Sequence, residues 1–275
     1  MPYERAELRA LVGAEITAEA NIAPRYYALA IFASIFLIIT LRGIIKKVLF
    51  VFIIVFLSIG IILGKGRAVY IATPAALIGS VILLRGGGLS KRALLTIVFG
   101  VLIGVTVLVV GRFGIMGPGI QERFKSIFEV GVRTGGRIYL WKGYIQAFLS
   151  SGGLGKGLNQ ARWIEGVGNV AHNDWIEIMG DLGIIGLTAF FGLHLCLFRR
   201  ILRVDHLWSN MLCLMIWCFI ILAGMTQTDY YRKYYGLAVG LILAMLRINE
   251  LESVPKTEKA PIQAGHERGV SYECI

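Results

Sequence analysis

Apolar residues are gathered into blocks at about 26–42, 47–64, 68–84, 93–111, 174–198, 207–224 and 233–248. Crossing a hydrocarbon core about 30 Å thick takes roughly 17–25 helical residues, which is the length scale of these blocks. Only helices satisfy all their backbone groups inside such a block, so lipid forces that conformation on them. The pattern predicts an all-α membrane protein with about seven transmembrane helices: four over 26–111 and three over 174–248. Polar stretches flank and interrupt them. Residues 1–25 predict a short amphipathic segment with no signal-peptide features. Residues 112–173 form one large loop, and 249–275, with Pro255 and Pro261, predict a disordered tail.

Composition supports the membrane reading and adds an orientation. Of the 275 residues 56% are hydrophobic and 16% charged, against about 25% charged in a soluble domain. Between Glu19 and Glu122 there is no acidic residue. Arg42, Lys46 and Lys47 follow the first block, Arg85, Lys91 and Arg92 the third, and Arg199, Arg200 and Arg203 the fifth; Asp205 is the single acid among them. The positive-inside rule makes these turns cytoplasmic and puts the GKGR turn, the 112–173 loop and the QTDYYRK turn outside. The net charge of +11 fits anionic headgroups or a phosphate-bearing substrate better than nucleic acid in a chain of this kind. The four cysteines form no CxxC pair and no Cys/His ligand spacing, so no disulfide framework, metal or other cofactor is expected.

The outer loop carries the candidate chemistry. Residues 111–171 hold eight Lys/Arg, three Glu and fourteen Gly, with Tyr139, Trp141, Tyr144, Phe148 and Trp163 to give the loop a core. Such a basic cap suits an anionic ligand such as a diphosphate, or is a solvated surface. A helix of about 15 residues is predicted from Arg137, with Arg137, Trp141 and Tyr144 on one face, ending at Gly152-Gly153. The GGLGKG run departs from GxxxxGK[ST] and reads as a C-cap and turn. Asp174 and Glu177 have capping-box spacing at the start of the fifth block. His172, just ahead of it, is kept neutral by the helix dipole, as a general base requires; it is otherwise a boundary histidine bonded to backbone. Arg67, opening the third block, either snorkels to the interface or grips phosphate oxygens.

A Gly-Arg at the head of a span, an RxxxW helix in a long loop, and an HNxxI…DxGIIGL run entering the next span resemble the O-antigen ligase family and its polymerase relatives over roughly residues 27–248. The resemblance implies a fold like the glycosyltransferase C group in the bacterial inner membrane. It implies metal-independent transfer of a glycan from undecaprenyl diphosphate to lipid A-core or another glycan acceptor at the periplasmic face. His172, Arg137 and Arg67 match the family's catalytic positions. Arg133, Trp141, Asn173 and Arg232 are the candidate diphosphate or glycan contacts. Two departures stand out: Gly66 replaces the usual Ser or Thr before the arginine, and family members usually have more spans before this block. The chain is therefore read as an N-terminally truncated member. A lipid-linked sugar transporter is the contrasting reading. It is disfavoured because transport pathways need ionisable groups at membrane depth, and Asp181 alone is a candidate carboxylate there.

Overall fold

The computed structural model describes residues 22–63, 67–83, 130–164, 169–227 and 230–253. Helix α1 spans Ile22–Thr40, α2 Ile44–Leu63, α3 Arg67–Leu83, α4 Val130–Ser150, α5 Asp174–Ile201, α6 Leu207–Gly224 and α7 Lys233–Ser253. A single 3-10 turn, Ala161–Trp163, lies between α4 and α5. The described residues contain no strand. Five helices (α1, α2, α5, α6 and α7) are long and apolar enough to cross a bilayer, and α3 is a shorter apolar helix. These match six of the seven blocks read from the sequence, within a few residues. The fourth block at 93–111, the segment 1–21, the first part of the loop to residue 129 and the tail beyond Ser253 lie outside the described residues.

The core of the bundle is α6. Its apolar residues point in all directions, and Met211, Leu214, Met215, Phe219 and Ala223 are fully buried. A helix apolar on every side has to be surrounded. α3 packs along it, as do α1 and α7. Phe32 of α1 meets Phe219 edge-to-face with ring centroids 5.6 Å apart. α2 sits at the margin instead, with Phe52, Phe56 and Ile59 exposed. Side chains of that kind on a membrane helix belong against lipid.

Two ends of the bundle can be told apart by contacts. At one end, α5 and α6 are joined by the turn 202–206, and Arg200 pairs with Glu250 of α7. At the other, the start of α5, the end of α6 and the start of α7 meet. The Asn173 amide donates to the Met225 carbonyl at 3.1 Å, and the Tyr230 N–H donates to Asp174 at 3.1 Å. α1 begins at this second end, because Tyr26 packs edge-to-face on Tyr234. α2 finishes there too, since Gly60 lies against the ring of Tyr27. Arg67 therefore opens α3 at the same end as His172.

Helix α5 is two helices joined across a kink. Gly183 has φ 65° and ψ −155°, which breaks the ladder in its middle. The chain after α4 fills the break: the Ile184 N–H donates to the Gly153 carbonyl at 2.9 Å, Lys156 N–H to Gly180 at 3.0 Å and Gly157 N–H to Asp181 at 2.8 Å. A side chain at Gly183 would overlap the Gly153 carbonyl, so glycine answers both the dihedral and the crowding.

Candidate active site

Three carboxylates on one face of the first half of α5 organise the site, each only 1% exposed. Asp174 accepts the Tyr230 N–H from the α6–α7 turn. Glu177 accepts the Ala171 N–H at 2.9 Å. Asp181 accepts N–H groups of Asn159 and Ala161 at 2.8 and 2.9 Å. A buried carboxylate needs such donors; here Asp174 ties the α6–α7 turn to the helix, and Glu177 and Asp181 tie two parts of the α4–α5 connection. This alters the sequence reading of the α5 start. The cap is Asn173, whose side-chain oxygen accepts the N–H groups of Trp175 and Ile176, and not an Asp174/Glu177 box. Asn173 outcompetes Asp174 because its amide also has a donor to spend on Met225.

α4 holds the same loop from the opposite side. It runs from Val130, seven residues earlier than the start expected at Arg137, and its Gly152 and Gly153 end it as expected. The Gly153 N–H reaches back to Phe148 and Gly152 N–H to Leu149, a Schellman closure. Arg137, Trp141 and Tyr144 follow one stripe, as their spacing predicts. Arg137 is exposed and Tyr144 is buried. The Trp141 indole N–H donates to the Ala171 carbonyl at 2.9 Å, and the Tyr144 hydroxyl to the Asn169 carbonyl at 3.2 Å. Burial, with Glu177 and Asp181 close by, raises the Tyr144 phenol far above its usual range, so it stays a donor.

His172 sits where these ties converge. Ala171 is gripped at its carbonyl by Trp141 and at its N–H by Glu177, and Asn173 is gripped by its cap. Between them His172 has φ 54°, a left-handed conformation that L-residues adopt at a cost of about 1–3 kcal/mol when neighbours enforce it. Burial holds its imidazole below the ordinary value of 6.5, the Arg137 charge lowers it further, and a side-chain hydrogen bond with Gln227 acts in the other direction. Nδ1 is buried with no hydrogen-bond partner among the described residues. The base candidate is thus uncharged near neutral pH, with Arg137 close enough to be felt.

The remaining candidates are spread around this point. Arg67 and Arg133 lie on α3 and in the first turns of α4. Arg232, in the α6–α7 turn, lies over the Tyr231 ring at 5.0 Å. Trp141 and Asn173, candidate substrate contacts by sequence, spend their polar atoms on Ala171 and on the α5 cap. Among the described residues no three His, Cys, Asp or Glu side chains are grouped as metal ligands. Sequence reading missed Gln227, which only the folded turn brings to His172. It also missed Arg25, 3% exposed with its guanidinium 5.3 Å from the Tyr234 ring at this same end. An arginine beside a predicted span and two tyrosines was the available signal for Arg25.

The sequence model of the O-antigen ligase family matches residues 52–191, just over half the chain and the part that runs from α2 through the kinked α5. The chain belongs to the O-antigen ligase family. No curated protein matches it closely enough to add to that. Membership makes it a membrane protein of the glycosyltransferase and ligase type, working on lipid-linked glycans. The family match spans α4, the loop and His172, whereas Arg25, Gln227 and Arg232 of the same bundle end lie outside the matched residues.

Proposed function

We propose that the chain moves a glycan from undecaprenyl diphosphate to an acceptor hydroxyl at the periplasmic face, with inversion and without a metal. The observation that carries the reading is a neutral, backbone-strained His172 within electrostatic reach of Arg137, at the bundle end where α3 opens with Arg67. The hydroxyl oxygen attacks the anomeric carbon while the bond from that carbon to the diphosphate oxygen breaks. Negative charge grows on the departing diphosphate and cationic character on the sugar. Arg67 and Arg137 stabilise the former as that charge builds. His172 takes the hydroxyl proton as the general base. That step is typically worth about 10²–10⁴-fold.

The test is transfer from undecaprenyl-diphosphate glycan in proteoliposomes containing EDTA, by the wild type and by His172→Ala. The expected result is transfer by the wild type and a loss of about 10²-fold or more in a variant that inserts normally. Wild-type rates from His172→Ala would remove the base, and dependence on divalent cations would remove the metal-free mechanism. Product on lipid A-core marks a ligase; a lengthened lipid-linked repeat marks a polymerase.

A further inference from the structure

We propose that the loop after α4, residues 151–164, together with Leu149 rests in the headgroup layer of the bilayer, as an interfacial anchor beside the site. The position follows from depth. Arg199 and Arg200 end α5 and mark one membrane boundary. From Arg200 back to Ile184 the second half of α5 rises about 24 Å, approaching the thickness of a hydrocarbon core. The break at Gly183 therefore falls at the opposite boundary, and Ile184 and Ile185, both exposed, are the first lipid-facing residues below it.

The loop is fastened to that level. Gly153, Lys156 and Gly157 bond to the backbone of Ile184, Gly180 and Asp181, and Asp181 receives the N–H groups of Asn159 and Ala161. From this stitched backbone large apolar side chains stand out: Leu149 at 68%, Leu154 at 66%, Leu158 at 61% and Trp163 at 71% exposure. Four large apolar side chains exposed over the end of α4 and one short loop are costly in water and mark an interaction surface. The backbone of Gly153 and Leu154 lies against Gly183 and Ile184, next to the lipid-facing Ile184 and Ile185, which makes lipid the occupant. The rest of the composition agrees, since Trp163 lies under the Arg162 guanidinium at 4.9 Å and Lys156 is exposed. Tryptophan with basic side chains is what the headgroup layer selects, and the two cations favour anionic lipids.

The experiment uses the full chain in phosphatidylethanolamine/phosphatidylglycerol vesicles, with its four cysteines replaced and Leu158→Cys labelled with bimane. The expected result is blue-shifted emission, quenching by lipids bearing a doxyl group high on the acyl chain, and protection from aqueous iodide. Lys142→Cys, on the exposed side of α4, should show the reverse. Trp163 supplies a second reading without cysteine replacement, as the emission lost from wild type in Trp163→Phe should be doxyl-quenched. Full iodide quenching at both positions with no doxyl quenching would overturn the proposal. So would protection that appears only at high protein density, which would assign the patch to a second copy. Neither measurement needs transferase activity, so the anchor and the catalytic reading stand or fall separately.

Discussion

At the residue scale, His172 draws its properties from neighbours rather than from its own helix. Desolvation and the Arg137 charge both hold its imidazole below the ordinary value. A base acts only when deprotonated, so the acid limb of the transfer rate should fall below pH 6.5. Arg137→Ala removes a positive charge that disfavours imidazolium; the histidine's affinity for protons then rises, and the limb should move to higher pH. A pH–rate profile of the two proteins checks both signs, and an unmoved limb would separate Arg137 from His172. Trp141 should act through position. Trp141→Phe keeps most of the ring and loses the N–H that holds Ala171, so kcat should fall by about tenfold with KM little changed, the worth of one hydrogen bond. A raised KM with unchanged kcat would instead make Trp141 a substrate contact. These residues differ in legibility. His172 and Arg137 were visible because histidine before a helix start, and arginine on an aromatic stripe, are local patterns. Gln227 was not, because it lies 55 positions from its partner and only the α6–α7 turn closes the gap.

At the element scale, α5 decides the architecture of the site. Its first half is a hub whose buried carboxylates fasten the α4–α5 connection and the α6–α7 turn, and its second half is the membrane span. The joint is Gly183. Gly183→Ala puts a side chain at positive φ and against the Gly153 carbonyl, and should cost about 2 kcal/mol or more. Thermal unfolding in detergent should show the loss, together with reduced transfer as the loop 151–164 detaches. An unchanged midpoint would mean that the loop does not depend on the break. The apolar period announced one continuous helix here, because Gly180, Gly183 and Gly186 interrupt neither hydropathy nor length. The break depends on an outside partner, the loop backbone bonding across it, and periodicity carries no trace of that. The GGLGKG run reads locally as a helix stop, and so it is. Its second task, donating Lys156 and Gly157 N–H groups to α5, is invisible without the fold.

At the scale of the whole molecule, the bundle brings Arg25, Arg67, His172 and Arg232 to one end and Arg199, Arg200 and Arg203 to the other. The charge bias along the chain gives the expectation that the second end faces the cytoplasm. A membrane-impermeant maleimide added outside cells opened at the outer membrane only should therefore label Asn169→Cys. Asp205→Cys should react only after the inner membrane is breached, and the converse pattern would invert the orientation. The sequence by itself determined where helices lie, that lipid surrounds them, and which end each turn occupies. These follow from transfer free energies summed over some twenty residues, and such sums need no knowledge of neighbours. It also supplied the family, through a motif confined to α4 and the head of α5. The tertiary structure alone decided that Asn173 caps α5, that Trp141 and Glu177 grip Ala171, that α5 breaks at Gly183 and that Gln227 meets His172. Each of these is one hydrogen bond or one close approach between distant segments, worth about 1 kcal/mol and set by a few tenths of an ångström. Composition averages over such contacts, and only the packed chain selects among them.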